Sequence, residues 1–204
     1  MMDLTEYTEY YTLFPTLVQS TLHPEADRIN PPLLEEIYRL YQMTPDGRDE
    51  RSSSSAFTTM WSLNDLHKRS VFKELSEFIK SELNIFAKEQ SIKLSNNGPI
   101  IKEMWFNIIN DFQCFDIHAH SNCLFTGVYY LKASKDSSPL VLKSENIDKM
   151  LICSTDAKND YNTVSHEITP APGLLTLFNA NVRHSTWAIL HKEERVSISF
   201  TAVV

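Results

Sequence analysis

Residues 100–131 read IIKEMWFNIINDFQCFDIHAHSNCLFTGVYYL. Three short runs stand out in this stretch, at 101–109, 112–120 and 124–131. Each is rich in β-branched and aromatic residues, and polar turns separate them, the pattern of successive strands. In the middle run Phe115, Ile117 and Ala119 alternate with Asp116, His118 and His120, so the polar set is expected on one strand face. Strand-like runs continue at 140–142, 174–178 and 196–204. Several short strands with turns between them and no βαβ alternation predict a sandwich or barrel.

The half before residue 100 reads differently. Asn30-Pro31 has the form of an N-cap followed by a first-turn proline. Leu33, Leu34, Ile37, Tyr38 and Tyr41 follow at helical spacing, and Thr44-Pro45-Asp46-Gly47 stops the run. Ser70 is placed to cap a longer helix whose stripe is Phe72, Leu75, Phe78, Ile79, Leu83 and Phe86. Asn96-Asn97-Gly98-Pro99 closes this region with turn chemistry. The predicted organisation is one domain, 1–204, with a mostly helical part, 1–99, meeting a β core, 100–204.

With 204 residues, 42% apolar and 22% charged, the chain can bury one sizeable core. A net charge of −7 argues against nucleic acid or an anionic membrane as a partner. No apolar run is long enough to span a bilayer, and the acidic residues Asp3, Glu6 and Glu9 do not suit a secretory signal. Cys114, Cys123 and Cys153 show neither C-x-x-C spacing nor an even count, so a reducing, cytoplasmic setting is expected.

His118 and His120 sit two residues apart. Two neutral imidazoles on one strand face can bind a divalent transition metal but leave it needing a third ligand. Asp116, on the same face, is a candidate to orient one of the rings. Alone, an H-x-H pair is also what a polar strand face carries. His184 follows a turn and an apolar run, and eleven residues later comes Arg195-Val196-Ser197-Ile198-Ser199-Phe200. Alternation puts Arg195, Ser197 and Ser199 opposite Val196, Ile198 and Phe200. Such a strand either faces solvent or builds a polar pocket, and a guanidinium with a hydroxyl two residues on is a good carboxylate receptor. His23, His67, His166 and His191 have no partners legible in the sequence.

Taken in order, these residues resemble the 2-oxoglutarate and Fe(II)-dependent dioxygenases, most closely their prolyl-hydroxylase-like branch and a group of oxygenases found in bacteria and phages. The segments carrying the resemblance are Trp105-Phe106-Asn107-Ile108, His118-Ala119-His120, Thr126-Gly127-Val128-Tyr129-Tyr130-Leu131, and Pro172-Gly173-Leu174-Leu175-Thr176-Leu177-Phe178 running on to His184 and Arg195-Val196-Ser197. Leu13-Phe14-Pro15 and the 61–86 region are similar too. The resemblance implies a double-stranded β-helix, the jelly-roll or cupin-like core, with the N-terminal helices packed outside. It implies Fe(II) held by His118, His120 and His184, and 2-oxoglutarate as co-substrate held by Arg195, Ser197 and Tyr130. Tyr129 is expected in the core and Gly173 in a turn. Trp105 and Asn107 alternate on a strand near the site, a position from which they line the pocket or, for Trp105, fill the core as an ordinary aromatic. The implied reaction is hydroxylation of a small molecule or protein side chain, with release of succinate and CO2.

One position departs from the pattern: the usual triad is two histidines and a carboxylate, and here the middle ligand is His120. Three neutral imidazoles leave the metal site at +2. Three-histidine dioxygenases of the cupin type use no 2-oxoacid, and a jelly roll can also serve as a non-catalytic binding module. Both remain alternatives to the 2-oxoglutarate reading.

Overall fold

The computed structural model describes residues 8–49, 52–144, 154–159, 161–190 and 194–204. Cys153 and His191 lie outside them. Among the described residues, nine strands form two antiparallel sheets. The larger contains β1 (Val18–Leu22), β2 (Phe57–Thr58), β3 (Ile100–Ile109), β4 (Phe125–Lys132), β7 (Leu174–Asn179) and β9 (Arg195–Val203), in the order β1-β7-β4-β9-β3-β2. The smaller contains β5 (Leu140–Lys143), β6 (Ser165–Ile168) and β8 (His184–Thr186), in the order β6-β5-β8. The fold is the expected jelly roll.

Strict alternation sorts the two faces of the larger sheet. On β9, Val196, Ile198, Phe200 and Ala202 point one way. Phe125, Tyr129 and Leu131 of β4, Leu175 and Leu177 of β7, and Met104, Phe106 and Ile108 of β3 join them. Ile101 lies on this face as well, because a bulge between Ile101 and Glu103 shifts the parity of β3. The helices cover this face. α1 (Ala26–Tyr41) contributes Ile29, Leu33, Ile37 and Leu40, and α2 (Lys73–Glu89) contributes Leu75, Ile79, Leu83 and Phe86. Each large side chain so buried contributes about 1.5–3 kcal/mol. The opposite face carries Trp105, Asn107, Thr126, Tyr130, Arg195, Ser197 and Ser199, and looks across a cavity toward the smaller sheet.

The first half contains strands as well as helices. β1 pairs with β7 and β2 with β3. Asn30 does not cap α1, which begins four residues earlier and carries Pro31 and Pro32 inside it. Asn30 is instead buried: its Oδ1 accepts the Tyr129 hydroxyl at 2.8 Å, and that tyrosine faces the core as expected. The predicted strand at 112–120 is an extended loop with a single β-bridge, at His118. Its main chain bonds to irregular partners on both sides and not to one continuous ladder.

Gly173 sits in the turn before β7 at φ +83°. A Cβ there would lie 2.3 Å from that of Ala26. Gly98 also has positive φ, +67°, but a Cβ there would meet only the Asn84 side chain, at an ordinary contact distance of 3.5 Å. Gly98→Ala is therefore expected to cost only backbone strain, about 1 kcal/mol, and Gly173→Ala distinctly more, about 2–3 kcal/mol. Urea unfolding of the two variants checks the difference, and equal losses would contradict the Ala26 contact.

Candidate metal and anion site

Backbone hydrogen bonds assemble the three histidines. The His118 N–H donates to the His184 carbonyl at 3.0 Å and the His184 N–H to the His118 carbonyl at 2.8 Å. The His120 N–H donates to the Ala180 carbonyl at 3.0 Å. The H-x-H segment is thereby fastened to the turn leading into β8. Ring centroids lie 4.2 Å apart for His118 and His184, 5.3 Å for His118 and His120, and 5.2 Å for His120 and His184. One nitrogen from each ring lies within 4.8 Å of those of the other two. Small ring adjustments bring such a set to the roughly 2.1 Å of a metal–imidazole bond.

Tautomers are fixed in the same way. The Nδ1–H of His118 donates to the Asp116 carbonyl at 2.7 Å, and that of His184 to the Val182 carbonyl at 2.9 Å. Each Nε2 lone pair is left for a ligand, as in metal-binding histidines whose other nitrogen is tied to a carbonyl. His120 packs on the Trp105 indole, centroids 5.6 Å apart, and Phe178 meets His184 edge-on at 4.9 Å. Burial lowers the pKa of all three. His120 is pushed down to about 4, with the His118 charge adding to the effect of burial. His184 lies well below the ordinary value for the same reasons, and His118 is lowered mainly by burial. At neutral pH three uncharged donors converge, which is the state a metal requires.

Arg195 opens β9 inside the cavity and is 3% exposed. Its Nη1 donates to the Ser138 carbonyl at 2.8 Å, and its Nη2 lies 3.5 Å from the Tyr130 hydroxyl. Its Nε is buried with no partner, and no carboxylate pairs with it among the described residues. Burial lowers its pKa. Leaving a guanidinium buried with only neutral partners is costly, and an anion beside it would offset that cost. Ser197 and Tyr130 lie in the same cross-strand row as Asn107, one strand on each side of β9. The next row holds Trp105, Ser199 and Val128, and Asn107 Nδ2 donates to Ser199 Oγ at 2.9 Å.

All nine sequence-derived positions except Tyr130 line one cavity of about 310 Å³, and Tyr130 backs it through Arg195. Asp116 differs from expectation in one respect. Its carbonyl, not its carboxylate, orients His118, while the carboxylate accepts the Ser53 hydroxyl and the Ile117 N–H. His23 is not partnerless either: it is buried, accepts the Glu25 N–H at Nδ1 and packs on Phe78. His166 is exposed, as expected. Sequence reading missed the cavity's outer wall, where Arg48, Ser54, Met60 and Trp61 come from the loops around β2. Those residues show no periodicity or motif.

A model described as "Putative 2OG-Fe(II) oxygenase" matches residues 103–201. No curated protein matches the chain. Among solved structures, a prolyl-4-hydroxylase from Pseudomonas putida is similar over 93% of this chain and 94% of its own, at 13% identity and a TM-score of 0.62. HygX from Streptomyces hygroscopicus, solved with nickel and 2-oxoglutarate bound, is similar over 92% and 83%, at 13% identity and 0.60. A prolyl hydroxylase from Trichoplax adhaerens, solved with a peptide fragment of hypoxia inducible factor, is similar over 91% and 83%, at 14% identity and 0.61. At these identities the likeness shows the shared fold.

The folded protein takes up protons on these histidines less readily than the unfolded chain does. They leave stability untouched above a pH of about 6.5 and subtract from it as pH falls below that, for His120 down to about 4. Urea midpoints should therefore be lower at about pH 5 than at about pH 7.5, and the difference should shrink in His120→Gln. An undiminished difference in that variant would contradict a buried, neutral His120.

Proposed function

We propose that the chain is a 2OG-Fe(II) oxygenase, the family whose model matches residues 103–201, and that it holds Fe(II) on His118, His120 and His184 and 2-oxoglutarate on Arg195, Ser197 and Tyr130. The observation that carries this reading is the Arg195 guanidinium, buried in the wall of the histidine cavity with its Nε unpartnered and no carboxylate paired with it among the described residues. A dicarboxylate reaching from the metal to Arg195 supplies the missing charge. It also offsets the +2 that three neutral imidazoles leave on the metal. A three-histidine dioxygenase with no 2-oxoacid leaves the guanidinium unexplained.

When bound, Fe(II) and 2-oxoglutarate supply O2 activation coupled to decarboxylation, giving succinate, CO2 and an oxidised substrate C–H bond. The chain's residues do the positioning. The Asp116 and Val182 carbonyls hold two imidazoles in the ligating tautomer. Arg195 and Tyr130 fix the far end of the co-substrate. Trp105 and Phe178 pack against the rings and exclude water from one side of the site. The outer wall at Trp61 and Ile117, both exposed, borders the space left for the substrate.

We also take residues 1–204 as one oxygenase domain, because α1, α2 and the larger sheet share one apolar core. The substrate reading is a small molecule or a protein side chain. Solved relatives include one holding a peptide fragment. No described helix is long and apolar enough to cross a membrane. The free thiols Cys114 and Cys123 fit a reducing, cytoplasmic setting.

The test is succinate formation from 2-oxoglutarate with added Fe(II), lost on chelation, alongside calorimetric binding of 2-oxoglutarate to the metal-loaded protein. Arg195→Met should weaken that binding at least tenfold. Without ligand the same variant should be as stable as the parent or more so, since an apolar side chain replaces an uncompensated buried charge. Undiminished 2-oxoglutarate binding in Arg195→Met would remove Arg195 from the co-substrate site.

A further inference from the structure

The sequence contains four consecutive serines, 52–55, before β2, and the family reading gives them no role. In the fold they lie along the segment that leads to the first metal ligand. The Ser55 N–H donates to the Cys114 carbonyl at 2.9 Å and the Ala56 N–H to the same oxygen at 3.2 Å. In return the Cys114 N–H donates to Ser55 Oγ at 2.9 Å. The Asp116 N–H donates to Ser54 Oγ at 2.9 Å, and the Ser53 hydroxyl donates to the Asp116 carboxylate. That carboxylate also accepts the Ile117 N–H at 2.8 Å, so residue 116 is held at both its amide and its side chain.

The opposite edge of the same segment is bonded to β8. The Phe115 N–H donates to Thr186 Oγ1 at 2.8 Å, and the Thr186 N–H to the Phe115 carbonyl at 3.0 Å. Residues 114–118 thus run between two partners, a regular strand on one side and a serine loop on the other. The consequence falls on His118, whose Nδ1–H is held by the Asp116 carbonyl. Rotating the peptide plane after Asp116 would release that imidazole.

We propose that Ser53 and Ser54 are positioning residues for the metal site: by clamping Asp116 they hold its carbonyl on His118 and keep the imidazole in its ligating orientation. This rests on the reading of His118, His120 and His184 as a metal triad. The clamp substitutes for the missing sheet neighbour of the H-x-H segment. It uses short hydroxyl side chains because the loop approaches too irregularly for a ladder of main-chain bonds. Ser54 also lines the cavity, so the loop that walls the substrate space is coupled to a metal ligand.

The experiment measures Mn(II) binding by calorimetry and the visible spectrum of the Co(II)-loaded protein, for the parent, Ser53→Ala/Ser54→Ala and Ser53→Thr/Ser54→Thr. Urea unfolding of each metal-free protein runs alongside. Removing a group that bonds a metal ligand directly typically costs about 10–100-fold in metal affinity, and Ser53 and Ser54 act one contact further out, so the lower end is expected. The alanine pair is expected to bind Mn(II) about tenfold more weakly, with an altered Co(II) spectrum and a metal-free urea midpoint close to the parent's. The threonine pair, which keeps both hydroxyls, should recover the affinity. Equal Mn(II) affinity and an unchanged Co(II) spectrum in the alanine pair would overturn the clamp and leave the triad standing. A loss of affinity that follows a fall in the metal-free urea midpoint, unrestored by threonine, would also overturn it. Absence of Mn(II) and Co(II) binding in the parent would overturn the triad and the clamp together.

Discussion

A positive charge buried at the start of β9 sets the terms for the rest of the site. Arg195 is enclosed by the larger sheet, and its described contacts are a main-chain carbonyl and a tyrosine. A chain that folds around such a group loses stability unless something negative enters with it. On the proposed reading the cost is recovered on binding, by an anion that reaches from the guanidinium to the histidine cluster. The alternation of β9 makes this arrangement possible. The parity that sends Val196, Ile198 and Phe200 into the helix-covered core sends Arg195, Ser197 and Ser199 into the cavity.

The metal half of the site depends on a different kind of constraint. His184 belongs to a regular strand, but His118 and His120 do not. Their segment is fixed by two hydrogen bonds to His184, one to Ala180 and a set of side-chain bonds to Thr186 and the serine loop. Burial keeps all three imidazoles neutral, and two of them are held in their tautomer by carbonyls from their own chain neighbours, two residues back. No carboxylate takes part among the described residues. A dianionic co-substrate is therefore the natural source of the negative charge that a histidine–carboxylate triad would supply.

Much of this was legible in the sequence, for definable reasons. The strands at 101–109, 124–131, 174–178 and 196–204 show because each has one face in a large apolar core, which forces a period of two. Tyr129 and Tyr130 could be assigned to opposite faces on that period alone. The segment at 112–120 read as a strand because it is extended and alternates. Its partners, however, are a loop and a short strand far away in sequence, which no local pattern reports. Asn30 read as a helix cap because its neighbour is proline. Its actual role, accepting the Tyr129 hydroxyl, depends on a contact ninety-nine residues away. Arg48, Met60 and Trp61 were invisible for a similar reason: they reach the cavity through loops around a two-residue strand.

Anaerobic titration of the Fe(II)-loaded protein with 2-oxoglutarate, followed in the visible, bears most directly on the joint role of the histidines and Arg195. A saturable charge-transfer band should appear in the parent protein, be absent in His184→Ala, and require much higher 2-oxoglutarate in Arg195→Met. Stoichiometric Fe(II) binding with no band at saturating 2-oxoglutarate would contradict the assignment of this cavity as a 2-oxoglutarate site.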